Sequence, residues 1–322
     1  MNGALGKLGD LRRREVSIVG YRRSIYAAVF WLYLVVATGA IVRVTGSGLG
    51  CDNWPRCGQL PVPTEAKTWH PIIEFSNRML ALGAIIFSII AWLAARRTRS
   101  LPRWAVRSTG LVALGTVAQI PLGGITVLTG LHPVAVMSHF LLTLILLAVA
   151  IQAALESRRQ EHGAVPPLVP LLVRRLGLLL SLAATVLFVT GAISTASGPH
   201  PGASNDVSRL FTVEGTVYIH VRATAVYGVV FAALIVFLFL RRATTGRLLL
   251  SSLGLLVLLG GQMAVGEVQY REGLPWWQVL IHVAISGLIW AWTAWLAGLL
   301  WRPSTLETRP LTGPLGRLLA RR

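Results

Sequence analysis

Four residues recur in this 322-residue chain at one spacing. Asn77, Gln119, Gly123 and His139 are followed 143 positions later by His220, Gln262, Gly266 and His282. Three of the pairs are identical, and the fourth sets an amide against an imidazole. A neutral imidazole is a metal ligand, and two of them on opposite walls of an apolar slot suit axial ligation of haem iron. His220 and His282 are read as such a pair. The alternative is that each bonds a neighbouring helix. In the first set His139 would be the one protein ligand, because the amide of Asn77 coordinates haem iron poorly, and the other iron face would stay open. Glu74 and Arg78 flank Asn77, and helix positions i, i+3 and i+4 share a face. A carboxylate there could move protons or stabilise developing positive charge. The alternative is an ion pair with Arg78, since intramembrane charges usually pair. The position matching Glu74 in the second set is Val217, so the asymmetry suggests one catalytic half and one electron-handling half.

These residues sit in long apolar runs. Hydrophobic residues make up 54% of the chain and charged residues 13%, against about 25% charged in a soluble domain. A spanning helix needs about 20 apolar residues. Eight runs qualify, at about 25–43, 71–95, 105–127, 133–155, 176–196, 214–240, 248–268 and 276–300. Helix is the reading for each, because an open sheet strands backbone groups in lipid and barrel strands are shorter and alternating. The first run lacks a small-residue cleavage site after it and is read as a retained helix. The net charge of +18, from 30 Lys and Arg against 12 Asp and Glu, could suggest nucleic acid. The cations instead cluster between apolar runs, with no basic face interleaved with aromatics, so nucleic acid is excluded as a partner. Of the 30, 23 fall in alternate inter-helix segments and the two ends. The positive-inside rule then makes both termini cytoplasmic and turns loops 44–70, 128–132, 197–213 and 269–275 outward.

Helices one and five also share Thr-Gly-Ala-Ile, at 38–41 and 190–193. The fold expected is an all-α integral membrane protein of eight transmembrane helices, built as two pseudo-symmetric four-helix bundles. Each half has an even number of spans, so the repeats run parallel about an axis along the membrane normal. The layout expected is a basic cytoplasmic arm 1–24, a first half 25–155, a cytoplasmic linker 156–175, a second half 176–300 and a basic tail 301–322. Asn77, His139, His220 and His282 would each lie roughly 10 Å inside the outward helix ends. Bundle-core sites are made by side chains at one level on facing helices. A transporter, one rival reading, would gather its polar residues at the midplane instead.

Cys51 and Cys57, in an outward loop, are read as a disulfide on the oxidising side. Structural zinc would need four ligands. His70, His132, His162 and His200 read as surface residues. Arg43, Arg209 and Arg222 could pair with haem propionates, with snorkelling and helix-end roles as the alternative. Trp54, Trp69, Trp276 and Trp277 read first as interfacial anchors. Glu267 reads as solvated. Gly123 and Gly124 read as sites where a helix or a macrocycle approaches closely.

Taken together, these features resemble the haem A synthase family. The resemblance is carried by Thr38-Gly39-Ala40 leading to Arg43-Val-Thr-Gly-Ser-Gly48, and by the loop Cys51-Asp-Asn-Trp-Pro-Arg-Cys57. It continues in Glu74-Phe-Ser-Asn-Arg78, His132-Pro with His139, Ile219-His220 and Ile281-His282. It implies an enzyme, an oxidoreductase that converts the C8 methyl of haem O to the formyl of haem A for cytochrome c oxidase biogenesis. It implies haem b on His220 and His282, and haem O as substrate against His139 with Asn77 and Arg78 nearby. Glu74 matches the family's essential carboxylate, and the cysteines match a pair found in one subgroup. The partners implied are haem O and haem A, a haem O synthase, oxidase assembly factors, an electron donor and membrane lipid. The location implied is the bacterial plasma membrane, with the haem sites toward the extracytoplasmic side. Much of the family has His where this chain has Asn77. The other rival reading is a non-enzymatic bis-His cytochrome b that carries electrons.

Overall fold

The computed structural model describes residues 15–51, 53–57, 68–203 and 207–309. Most of the basic arm and of the tail, and the middle of the first long loop with Lys67, lie outside the described residues. Eight helices of 26 to 30 residues are long and apolar enough to cross a membrane. They are α1 (Ile18–Val44), α2 (His70–Arg96), α3 (Arg103–Leu128), α4 (Pro133–His162), α5 (Leu171–Ser197), α6 (Val213–Leu240), α7 (Arg242–Arg271) and α8 (Trp276–Trp301). A one-turn α9 (Thr305–Thr308) follows. No strand occurs among the described residues, only an isolated bridge between Ala164 and Ser304. Leu114, Val229 and Val257 face outward unburied, as residues bathed in hydrocarbon do.

The helices close into two rings. In the first, α1 packs on α2 and α4, and α3 joins α2 to α4; in the second, α5 packs on α6 and α8, and α7 joins α6 to α8. α2 and α4 therefore stand diagonally across one ring, and α6 and α8 across the other. The seam between rings consists of α1 against α8, α4 against α8, and α4 against α5. Exchanging α1 with α5 and α4 with α8 maps this seam onto itself, as a twofold along the bundle axis requires. In lipid such a seam is held by close approach and interhelical hydrogen bonds rather than hydrophobic burial. Gly298 admits the α4 side chains, since a Cβ there would lie 2.3 Å from Leu155. Trp290 Nε1 donates to the Leu144 carbonyl at 2.7 Å, and Gln152 Nε2 donates to that of Ala294 at 2.8 Å.

The repeat reaches into the turns. Gly130-Leu131 and Gly273-Leu274, 143 residues apart, both take left-handed φ, at 61° and 60° and at 77° and 62°. Leu131 N–H donates to the Thr126 carbonyl at 2.8 Å, and Leu274 N–H to that of Gln269 at 2.7 Å. A left-handed leucine costs energy. Leu131 offsets it by burial against the positions where Gly48 and Gly202 lack side chains.

The spans are longer at the basic end than their apolar runs suggest. α1 begins at Ile18, α4 continues through the first seven residues of the expected linker to His162, and 242–247, expected as loop, is the first part of α7. α7 follows α6 across Arg241, with a kink at Thr245. Polar partners make these extensions possible. Buried Glu156 on α4 takes Arg159 at 3.1 Å and Arg302 at 3.4 Å, and buried Glu307 takes Arg158 at 2.6 Å. The Ser304–Glu307 capping box fixes α9 over the 163–165 segment, where Thr305 N–H reaches the Gly163 carbonyl at 3.0 Å.

Candidate functional site

The first ring encloses a cavity of about 490 Å³, within the usual range of cofactor and ligand pockets. His139 on α4 and Asn77 on α2 both line it, from the diagonal walls of the ring, and Gln119 and Gly123 line it from α3. Gly123 makes room for the imidazole: a Cβ there would stand 3.4 Å from His139 Cε1. Gly266 does the same for His282 at 3.0 Å, and Gly191 for His220 at 2.9 Å. His220 on α6 and His282 on α8 lie on the diagonal walls of the second ring.

The matched glutamines are ties between helices. Gln119 Nε2 donates to the His139 carbonyl at 3.0 Å and Gln262 Nε2 to the His282 carbonyl at 2.9 Å. The shared Thr-Gly-Ala-Ile also has a job that the sequence alone did not disclose. Thr38 Oγ1 donates to Asn77 Oδ1 at 2.8 Å, and Thr190 Oγ1 lies 3.2 Å from His220 Nδ1. Thr190 gives its proton to the Leu187 carbonyl, so it accepts from His220 Nδ1–H. That tautomer leaves the Nε2 lone pair of His220 free, as a metal ligand requires. Nδ1 of His139 and of His282 is buried without a hydrogen-bond partner among the described residues.

Glu74 is buried and doubly held. Its Oε1 pairs with Arg78, and its Oε2 accepts from the backbone N–H of Cys51 at 2.8 Å. Arg78 also donates to the carbonyls of Pro55 and Arg56, at 3.1 and 3.3 Å. The ion pair is therefore present, and it grips the loop closed by the Cys51–Cys57 disulfide. Both members line the cavity. Trp54 departs from the expectation of an interfacial anchor. Its indole lines the cavity and packs on Gly124, where a Cβ would lie 2.8 Å from Cε2. Gly124 thus admits a loop side chain, and Gly123 admits His139.

The remaining polar residues divide by role. His70 Nδ1 lies 2.9 Å from Ser47 Oγ, and His200 Nε2 donates to the Leu274 carbonyl at 2.7 Å. His132 precedes α4 exposed, and His162 ends α4 beside Arg22. Arg222 folds onto Tyr218 of its own helix, and Glu267 pairs with Arg271 at the surface. Arg43 lines the cavity. The donor set suits a porphyrin: imidazoles on diagonal walls with glycines beneath them, one lone pair freed by a fixed tautomer, and an apolar cavity against His139.

Comparison with known proteins places the chain in a family. The chain is 32% identical to a haem A synthase from Geobacillus thermodenitrificans over 44% of its length and 45% of that protein. It is 32% identical to one from Symbiobacterium thermophilum over 42% and 46%, and 35% identical to one from Geobacillus kaustophilus over 37% of each. The chain thus spans less than half the length of these relatives. A model of the COX15-CtaA family, described as cytochrome oxidase assembly protein, matches residues 22–294, which hold every residue of the site. With eight spans, a buried carboxylate and paired diagonal positions inside that match, the chain belongs to the COX15-CtaA family of cytochrome oxidase assembly proteins.

Proposed function

We propose that the chain is a haem A synthase that oxidises the C8 methyl of haem O to a formyl group. The observation that carries this is the cavity of the first ring, which sets a clamped carboxylate, Glu74, among the same walls as His139. Haem O would enter as substrate against His139, with Asn77 leaving the other iron face open. The conversion would pass through an alcohol and a geminal diol by two successive two-electron oxidations, each adding one oxygen atom, with either dioxygen plus a reductant or water plus an external electron acceptor as co-reactants. The diol then loses water to give the aldehyde. Glu74, held by Arg78 and the Cys51 N–H, is positioned to take a proton or to stabilise positive charge developing at the methyl carbon. Thr38 takes the carbonyl end of the Asn77 amide, which leaves the amide N–H donors for the cavity. His220 and His282 would hold a haem b, which supplies electron transfer when bound.

By this reading residues 25–155 form the substrate half, 156–175 the linker and 176–300 the haem b half. The arm 1–24 and the tail 301–322 would lie in the cytoplasm, and both haem sites toward the extracytoplasmic face of a bacterial plasma membrane. A haem O synthase would hand over the substrate, and oxidase assembly factors would receive the product. The test is to express the chain with a source of haem O, extract the haems and identify them. Formyl-bearing haem is expected from the native chain and not from Glu74→Ala. Haem b retained with no formyl product in either would leave a bis-imidazole electron carrier in place of the enzyme.

A further inference from the structure

Arg43, in the last turn of α1, is a half-buried cation on the cavity wall with no carboxylate partner among the described residues. It differs in this from Arg78, whose charge Glu74 neutralises. Arg43 Nε donates to the His200 carbonyl at 2.9 Å, and its Nη2 to the Thr195 carbonyl at 2.7 Å. Those carbonyls, one of them in the last turn of α5, fix the plane of the guanidinium and partly compensate its charge. They use two of the five N–H groups that an arginine carries. A cation drawn partly out of water inside a membrane protein is normally paired, and no protein carboxylate does this for Arg43 among the described residues.

We infer that Arg43 is the carboxylate anchor of the cavity and binds an acidic side arm of the flat apolar ligand held by the first ring. This rests on the haem reading above, in which the arm is a porphyrin propionate. The geometry of the group supports it. A planar guanidinium with one edge pinned to backbone carbonyls keeps its remaining N–H groups in a fixed fork, the arrangement that meets a carboxylate at two points. Its place in the last turn of α1 puts the acidic arm at the disulfide end of the cavity, where it stays near water while the ring lies in the apolar part.

The experiment titrates the full-length protein, purified with whatever haem it carries, with protohaemin and with protohaemin dimethyl ester, which keeps the ring and iron but lacks both carboxylates. Binding is read by difference absorbance, and the part lost in His139→Ala is assigned to the first ring. The native chain is expected to bind the free acid at least about tenfold more tightly than the ester, the scale of a hydrogen bond to a charged group. Arg43→Gln should lose that preference while its affinity for the ester stays unchanged. Arg43→Lys should recover part of it, since ammonium keeps the charge and loses the fork. Equal affinity of the native chain for acid and ester, or a preference that survives in Arg43→Gln, would overturn the assignment and leave the haem reading standing. The ester comparison needs no variant of Arg43, so it holds even if Arg43→Gln does not fold. A native chain that carries no haem and binds neither porphyrin would overturn both.

Discussion

The two rings share a helix order, a turn geometry and a set of glycines, yet one is open where the other is tight. Gly39 and Gly191 occupy matching places in the shared Thr-Gly-Ala-Ile. A Cβ at Gly39 would meet nothing within 4 Å, whereas one at Gly191 would come 2.9 Å from His220 Cε1. Thr38 hydrogen-bonds an amide, and Thr190 hydrogen-bonds an imidazole. Glu74 stands in the open ring, and Val217 at the matching place in the other. One scaffold thus supports two tasks by changing few side chains. By the proposed function, two diagonal imidazoles would hold an iron with no face to spare. The ring in which an amide replaces one of them and a carboxylate is added would be the one where chemistry is done on what is held.

The comparison breaks most readily at the tight ring. Replacing His220 or His282 by Ala should abolish the low-spin bis-imidazole spectrum of the purified protein, and His139→Ala should leave that spectrum intact. If all three behave alike, the division of labour is wrong. Asn77→His sharpens the contrast by making the open ring a copy of the tight one. On haem loading it should add a second low-spin signal, and formyl product should fall by about tenfold or more as the free iron face is lost. A smaller effect is expected at the matched glycines. Gly191→Ala should destabilise by about 1–3 kcal/mol through overpacking on His220, and Gly39→Ala should lie within about 0.5 kcal/mol of the native chain; thermal unfolding in detergent compares them. The least effect is expected at the hydroxyls. Thr38→Val and Thr190→Val should each cost about 0.6 kcal/mol, the mean for an interhelical hydrogen bond in a membrane. Only Thr190→Val should also perturb the low-spin spectrum, because it releases His220 Nδ1.

The apolar runs and the matched spacing were enough to read the eight helices and their two groups of four, since lipid imposes length and helicity on any chain that crosses it. The expected cytoplasmic stretches 156–162 and 242–247 were misread as loop. Hydropathy stops at the first charges, whereas α4 carries on because Glu156, Arg159 and Arg302 satisfy one another. Cys51 and Cys57 pair as their compartment suggested. Trp54 reads as an interfacial anchor and instead packs on Gly124, because a tryptophan in an outward loop has the same composition signal in either place. The shared Thr-Gly-Ala-Ile was visible as a repeat. Its purpose was not, because nothing in one helix announces which side chain of the next its threonine will meet.

The seam is riveted at both ends. At one end Arg43 and Gly48 N–H hold the Thr195, His200 and Gly202 carbonyls of the other half. At the other, the 302–307 segment binds Glu156, Arg158 and Gly163 of the first half. Rocking one half on the other, the motion of an alternating-access carrier, would have to undo both. Met79, Leu82 and Ile120 are exposed apolar side chains that border the cavity, so the first ring keeps an accessible greasy lining without any movement of one half against the other.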